Sequence, residues 1–369
     1  YLKEVSGNKL PPKEYERIRE GILTMKVMPS MRLLAMAGDP ARRSNIAIYN
    51  CSYLPADSID SFVEALIISM NGCGVGFSVE RQYIEKMPRI KRQTGVKRPV
   101  HLIADTSEGW AESLRLGLAT WFNGEDIEFD YSDIRPAGVP LKIKGGRASG
   151  PEPLRQMMNF ARSRILARQG SFLSSVDAHD IMCSVGGAAV SGGVRRTAMI
   201  SLFDYDDHEM KTSKDGDFWL HNSQRWNANN SAVWPQRRLT QEEVARFVLD
   251  MTMSGRGEPG IFNRKAAIDN RPERRIAADF GTNPCGEIIL RPFQFCNLSS
   301  AIARAEDTFE SLKEKVELAT IIGTIQSMAT MFPGLRPIWK QNCEEERLLG
   351  VDLNGQMDSK VCQDPDVQS

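Results

Sequence analysis

The stretch that decides the fold of this chain reads Gly281-Thr282-Asn283-Pro284-Cys285-Gly286-Glu287-Ile288-Ile289. Pro284 and Gly286 disfavour a helix here. In an extended segment the side chains alternate between two faces, so Asn283, Cys285 and Glu287 are predicted to point the same way. A rise of about 3.3 Å per residue would place successive members of this trio roughly 6–7 Å apart, which suits contacts to different atoms of one sugar-sized ligand.

The three side chains have complementary chemistry. A cysteine sulfur that has been oxidised to a thiyl radical can abstract a hydrogen atom. The carboxylate of Glu287 can act as a general base on a neighbouring hydroxyl, and the amide of Asn283 can both donate and accept hydrogen bonds. On spacing alone, an ordinary Asn-Pro turn beside a buried cysteine explains the same residues.

The composition argues against several classes of function. Among 369 residues, Lys and Arg total 47 and Asp and Glu total 47, so no basic surface for nucleic acid is indicated. The most apolar runs, residues 62–70 and 319–331, are shorter than the roughly 18–20 residues that span a bilayer. We therefore expect a cytoplasmic protein with no nucleic-acid and no membrane partner.

The use of cysteine favours chemistry over scaffolding. The seven cysteines are Cys51, Cys73, Cys183, Cys285, Cys296, Cys343 and Cys362. An odd number spread over a long chain argues against a disulfide framework. Since neither C-x-x-C spacing nor a nearby histidine is present, no zinc site and no other metal site is predicted.

Apolar periodicity predicts helices that alternate with short β-rich runs. Helices are predicted at residues 11–25, 58–70, 107–122, 151–168, 175–185, 240–254 and 307–331, and strands at 45–54, 76–80, 127–131, 197–203, 231–234 and 287–290. This alternation is typical of an α/β architecture with parallel strand pairing.

The pentapeptide from Asn283 to Glu287 resembles the Asn-x-Cys-x-Glu finger-loop motif of ribonucleotide reductase large chains. Further segments resemble the same family in the same order: residues 28–32, 49–52, 57–61, 72–76, 130–136, 145–150, 191–198 and 347–351. Two of them, residues 130–136 and 145–150, match the adenosylcobalamin-dependent class particularly well. The resemblance covers nearly the whole chain.

The resemblance implies a ten-stranded α/β barrel of the ribonucleotide reductase and glycyl-radical type. Mainly its first five-stranded half and the central cysteine finger loop, residues 281–290, are expected in this chain. Residues 1–27 would form an N-terminal helical segment, residues 28–340 the first half-barrel, and residues 341–369 the truncated start of the second. The chain would then be a fragment or one part of a split enzyme.

The resemblance also implies catalytic roles. Cys285 would carry the thiyl radical that takes the 3′ hydrogen of the ribose. Glu287 would be the base at the 3′ hydroxyl, and Asn283 would orient the substrate. Cys51 and Cys296 would supply the two reducing equivalents and close to a disulfide after turnover. The other four cysteines are read as packing residues.

Two binding sites are implied as well. Substrate phosphate and ribose contacts are expected from Ser30, Asn50 and Gly74, where a glycine lets the backbone approach a ligand closely. The contacts to an allosteric deoxynucleotide effector, including those of the specificity loop, are expected from Gly192, Gly193, Arg195, Arg196, Asp57 and Arg81.

The function that the resemblance implies is the reduction of ribonucleoside triphosphates to deoxyribonucleotides, with adenosylcobalamin as cofactor and thioredoxin or a similar dithiol as reductant. Most cobalamin-binding residues are expected to lie outside this chain. One alternative is a reductase whose radical comes from a metal-bearing partner subunit. The spacing of Cys285 and Cys296 and the 145–154 signature favour cobalamin. A second alternative is a non-catalytic nucleotide-binding fragment of the family.

Overall fold

The computed structural model describes residues 1–141, 146–189 and 198–368. The strands are β1 Val27–Pro29, β2 Cys51–Pro55, β3 Gly74–Ser78, β4 His101–Leu102, β5 Phe129–Asp130, β6 Met199–Asp204, β7 Ala228–Val233, β8 Gly260–Phe262, β9 Gly281–Thr282, β10 Ile289–Leu290, β11 Gln294–Phe295, β12 Leu298–Ile302 and β13 Gly350–Asn354. The helices are α1 Leu2–Val5, α2 Pro12–Leu23, α3 Met31–Met36, α4 Asp39–Arg43, α5 Ile59–Met70, α6 Arg81–Ile84, α7 Ser107–Phe122, α8 Glu152–Ala167, α9 Ser175–Ala189, α10 His208–Lys211, α11 Gln241–Met253, α12 Arg264–Asp269, α13 Phe309–Ser327, α14 Pro337–Glu346, α15 Lys360–Gln363 and α16 Pro365–Gln368.

The chain divides into two compact units. The first comprises Tyr1–Cys51 together with the described residues from Gln294 onward, and the second is Ser52–Phe293. These boundaries do not follow the predicted limits at residues 28 and 340. The reason is that β12, late in the chain, pairs with β1 near its start, which returns the chain to the first unit.

The second unit contains a sheet in the order β2-β3-β6-β7-β8. Strands β3, β6, β7 and β8 pair in parallel, with Val75 opposite Met199 and Ser231 opposite Gly260. At the end of β2, the amide of Ala56 donates to the carbonyl of Ser78 at the end of β3. Helices α5, α7, α8 and α9 pack on one another in this unit. The predicted α/β class is therefore confirmed.

Local signals place the helix ends. Helix α7 has the predicted bounds because the Thr106 hydroxyl accepts from the amide of Gly109, and Gly124 follows the last turn with a φ of +76°. Helix α11 carries the predicted capping box between Thr240 and Glu243. None of the helices in the described ranges is both long and apolar enough to cross a bilayer.

The predicted strand at residues 45–54 is wrong over its first half. Asn45–Ile48 is a 3-10 helix, and the strand β2 begins only at Cys51. The side-chain amide of Asn45 donates to the carbonyl of Ala41 at 2.8 Å, which favours a turn of helix over an extended chain. Most of the other predicted elements differ from the observed ones by a few residues at their ends.

The first unit is built on a smaller sheet in the order β1-β12-β13. Strand β12 pairs antiparallel with β1 and in parallel with β13. Helix α13 packs against all three strands, and the hydroxyl of Ser299 donates to the carbonyl of Ala319 at 2.8 Å. A cluster of aromatic rings fills this unit's core, formed by Tyr49, Phe295, Phe332 and Trp339.

A histidine lies in the core of the second unit beside buried charges. His179 is fully buried on α9, where its ring lies at a tilt to that of Phe77 with the ring centroids 5.9 Å apart. The neighbouring carboxylate of Asp180, also fully buried, accepts from the guanidinium of Arg225 at 2.7 and 2.9 Å. Burial lowers the pKa of His179 to about 3, because the apolar surroundings disfavour the charged imidazole.

Acid should therefore destabilise the fold through His179. Below the unfolded-chain pKa of about 6.5 only the unfolded state takes up the proton, so the free energy of unfolding decreases as the pH falls towards the folded value. Between pH 7 and pH 5 this contribution is about 2 kcal/mol. Urea unfolding at both pH values should show this loss in the wild type and not in His179→Leu. Equal pH dependence of the two proteins would contradict the assignment.

Candidate active site

The stretch around Cys285 forms a short β-hairpin in the second unit. Strands β9 and β10 pair antiparallel, with Thr282 opposite Ile289 and Gly281 opposite Leu290. The amide of Gly286 donates to the carbonyl of Asn283 at 3.0 Å and closes a tight turn. Gly286 has a φ of +87°, which glycine adopts without strain.

This turn corrects the predicted extended geometry, in which three side chains shared one face. Asn283 is fully buried, and its side-chain oxygen accepts from the amide of Ile288 at 2.9 Å. Cys285 and Glu287 are exposed. Since the chain reverses direction at residues 284–286, the alternation of an extended strand does not apply. The hairpin therefore exposes the thiol of Cys285 and the carboxylate of Glu287 at its tip. The buried side chain of Asn283 stabilises the turn through its hydrogen bond to Ile288.

Two glycines allow the base of the hairpin to pack tightly. A Cβ atom on Gly76 of β3 would overlap the carbonyl oxygen of Thr282, and one on Gly281 would overlap the ring of Tyr53. Tyr53 is fully buried on β2, and burial raises the pKa of its hydroxyl well above the usual value. The hairpin thus rests directly on the backbone of β3 and on the ring of a β2 residue.

Cys51 and Cys296 lie side by side in the first unit. The amide of Cys51 donates to the sulfur of Cys296 at 3.0 Å, and the amide of Cys296 donates to the carbonyl of Cys51 at 2.9 Å. Cys296 is fully buried whereas Cys51 is partly exposed. The structure therefore brings together the two cysteines that the family resemblance implies as a pair.

The predicted substrate residues occupy loop and strand-end positions. Ser30 caps α3, because its hydroxyl accepts from the amide of Leu33 at 3.1 Å. The side-chain oxygen of Asn50 is buried and has no hydrogen-bond partner among the described residues. Gly74 begins β3 in the second unit, where its carbonyl accepts from the hydroxyl of Ser52 at 3.0 Å. Nowhere in the described ranges do three or more His, Cys, Asp or Glu side chains form a group that could hold a metal ion.

Two relatives that this chain matches share one name. The chain matches no protein-family model. It is 28% identical over 353 residues to the adenosylcobalamin-dependent ribonucleoside-triphosphate reductase of Euglena gracilis, a match that covers 90% of this chain and 46% of that relative. The protein of the same name from Lactobacillus leichmannii is 28% identical over 409 aligned positions, covering 94% of this chain and 54% of the relative.

The structural comparison agrees. The crystal structure of a B-12-dependent, class II ribonucleotide reductase matches with a TM-score of 0.76 and 25% identity, over 92% of this chain and 55% of that chain. This chain is therefore similar to ribonucleotide reductases over about nine-tenths of its length. It spans about half the length of the relatives that it matches.

The residues predicted for a reductase effector site are only partly described. Gly192, Gly193, Arg195 and Arg196 lie outside the described residues. Asp57 accepts from the hydroxyl of Ser61 at 3.0 Å at the start of α5. Arg81 follows β3 and lines a cavity of about 310 Å³ together with Phe172, Ser174 and Asp204. Burial raises the pKa of Asp204.

Sequence reasoning missed several charged residues beneath the hairpin. Arg264, Arg275 and Glu80 are each more than nine-tenths buried. Arginine and glutamate are rarely buried unless they are paired, but burial is not visible in a single sequence. The one available signal was the density of charges at residues 264–275, just before the motif.

The exposure of Cys285 predicts selective thiol chemistry. Of the seven cysteines, all of which lie in the described ranges, Cys285 is exposed, Cys51 is partly exposed and the others are buried. We expect iodoacetamide to alkylate Cys285 at least about tenfold faster than any buried cysteine of the native protein, since a thiol must be accessible to react. Peptide mass spectrometry over time measures this, with Cys285→Ala as control. Faster labelling of Cys343 or Cys362 would contradict the hairpin geometry.

Proposed function

We propose that this chain carries the radical cysteine of a ribonucleotide reductase that converts ribonucleoside triphosphates to 2′-deoxyribonucleotides. The observation that carries the proposal is the hairpin that exposes Cys285 and Glu287 at its tip. The similarity to named reductases and the contacts between Cys51 and Cys296 support it.

The chemistry at the hairpin tip begins with hydrogen-atom abstraction. A thiyl radical on Cys285 takes the 3′ hydrogen of the ribose and becomes a thiol. The carboxylate of Glu287 then accepts the proton of the 3′ hydroxyl, which assists departure of the 2′ hydroxyl. Asn283 keeps both groups in place by bracing the turn, since its side-chain oxygen is bonded to the amide of Ile288. At the end of the cycle Cys285 returns the hydrogen atom to C3′.

Loss of the 2′ hydroxyl requires two electrons and two protons. We propose that Cys51 and Cys296 supply them: their two thiols become one disulfide, one hydrogen leaves with the hydroxyl as water, and the other is retained at C2′. The contacts between the two residues suit this role, because the sulfur of Cys296 already lies 3.0 Å from the amide of Cys51. A dithiol protein such as thioredoxin would then reduce the disulfide.

The cofactor proposed is adenosylcobalamin, the group in the printed names of the relatives. When bound, it would supply the one-electron oxidation that converts a thiol to a thiyl radical. The feature of this chain that fits such a group is the exposed thiol of Cys285, held at the tip of a hairpin where an external group can reach it. Glu287, two residues further along the chain, is also exposed, so its carboxylate can accept a proton from a bound substrate.

Substrate and effector binding are proposed at the predicted residues. Ser30 and Asn50 would contact the phosphate and ribose of the substrate, and the buried, unpaired side-chain oxygen of Asn50 supports this because a ligand hydroxyl would satisfy it. Gly74 would admit a ligand close to its backbone. Asp57 and Arg81 are proposed to contact a deoxynucleotide effector, together with the residues of the 192–196 segment.

Turnover by the complete polypeptide that carries this chain tests the proposal. With a ribonucleoside triphosphate, adenosylcobalamin and a dithiol, deoxynucleotide should form. Cys285→Ala should abolish product, and Glu287→Gln should lower kcat by roughly 10²- to 10⁴-fold, the usual contribution of a general base. Product is measured by chromatography of the nucleosides.

The matched control is Cys362→Ala, which removes a buried packing cysteine of the first unit. This variant should keep the wild-type rate. Turnover that persists in Cys285→Ala would refute the radical role. Product that appears only after addition of a metal-bearing subunit would refute the cobalamin assignment and favour the metal-radical class.

The cysteine pair makes a separate prediction. Mild oxidation with diamide should join Cys51 to Cys296, because the two residues are already in contact and the link needs little backbone movement. Mass spectrometry of non-reduced peptides detects the link, which Cys51→Ala should abolish and Cys343→Ala should not. A dominant disulfide between Cys296 and Cys343 would contradict the assignment.

A further inference from the structure

The geometry points to a pair of buried arginines that hold the two legs of the Cys285 hairpin, and we propose that Arg264 and Arg275 are positioning residues for the radical thiol. The inference rests on the proposed function, since it assigns a role at the same hairpin. Each arginine binds a backbone carbonyl at the base of the hairpin, and we call the two residues the clamp.

Arg264 holds the first leg. Its guanidinium donates to the carbonyl of Phe280, the residue before β9, at 2.6 Å. The two remaining donor groups of the fork bind both carboxylate oxygens of Glu80 at 2.7 and 2.6 Å. Each of the three guanidinium nitrogens therefore makes a hydrogen bond, and the one from Nε fixes the position of the hairpin.

Arg275 holds the second leg. Its guanidinium donates to the carbonyl of Ile289 in β10 at 3.1 Å. The same group lies over the ring of Phe280, 4.8 Å from the ring centroid. Phe280 is therefore held through its carbonyl by one arginine and through its ring by the other, so that the two legs are tied to a common point.

Glu80 anchors this arrangement to the sheet. It follows β3 and is 3% exposed, and one of its carboxylate oxygens also accepts from the hydroxyl of Ser78 at 2.7 Å. Burial alone would oppose the charged form of Arg264, but the hydrogen bonds to Glu80 outweigh it, so that the pKa of Arg264 lies above its ordinary value. The guanidinium therefore stays charged and keeps its hydrogen bonds to Glu80 and to the carbonyl of Phe280.

For this positioning role, the planar shape of the two guanidinium groups is more important than their positive charge. Lysine would keep a positive charge at either position, but a single ammonium cannot make the planar, multiply bonded contact of a guanidinium. Hydrogen-atom transfer depends strongly on the distance between the reacting atoms, and small displacements of a catalytic group are costly. Loosening either leg should therefore reduce the rate of the chemical step more than the binding of substrate.

Arg264→Lys and Arg275→Lys test the proposal in the full polypeptide. Hydrogen exchange reports on the hairpin directly, because the amides of Asn283 and Ile288 are hydrogen-bonded within it. We expect these amides to exchange at least about tenfold faster in either variant. In turnover assays we expect kcat to fall at least about tenfold while KM stays within about twofold.

Arg225→Lys is the matched control. Arg225 also binds a buried carboxylate with two donors, that of Asp180, and a backbone carbonyl, that of Ser213. It makes the same kind of contact in the same unit, but at a place away from the hairpin. Its replacement should lower global stability as the other two do and leave hairpin exchange and kcat within about twofold of the wild type.

The exchange and turnover results can either support or overturn the role proposed for Arg264 and Arg275. Faster hairpin exchange and a lower kcat in the Arg264 and Arg275 variants alone support the clamp. Unchanged exchange in both, or equal changes in Arg225→Lys, overturns it. Because hydrogen exchange requires no turnover, a failure of the proposed function, seen as activity that persists in Cys285→Ala, is distinguishable from a failure of the clamp.

Discussion

The close approach of two backbones at Gly76 is the constraint on which the candidate site depends. The carbonyl of Thr282 lies where any side chain on Gly76 would begin. Since a backbone cannot move aside as a flexible side chain can, this contact sets the depth at which the hairpin is inserted against β3. The position of Cys285 above the sheet follows from that depth, because only a short turn separates the thiol from Thr282.

The hairpin is therefore rigid at its base and open at its tip. Its base is enclosed by Tyr53, Phe280 and two arginines, all buried, while Cys285, Gly286 and Glu287 are exposed. The role proposed for the sulfur of Cys285 needs both properties. It has to be reachable by the group that oxidises it, and its position relative to a substrate has to be reproducible within a fraction of an ångström. The cysteine pair has a contrasting environment, with Cys296 fully buried and in contact with the backbone of Cys51.

Much of this was predictable from local patterns. The bounds of α7, the capping box of α11 and the α/β class follow from capping residues and periodicity, which act over a few residues. The importance of residues 283–287 and the pairing of Cys51 with Cys296 followed from the family resemblance. The extended geometry of the trio was predicted wrongly, because alternation holds only where the chain continues in one direction, and here the chain turns at residues 284–286.

The sequence by itself determined which residues are proposed to carry the chemistry: a cysteine and a glutamate two positions apart in one loop, and two further cysteines far apart along the chain. Only the tertiary structure decided how that loop is held. The contacts of Arg264 with Glu80 and Phe280, and of Arg275 with Ile289, join residues from separate elements. No local pattern specifies them, because the burial that makes a paired arginine rigid arises only when the sheet, the helices and the hairpin have packed together.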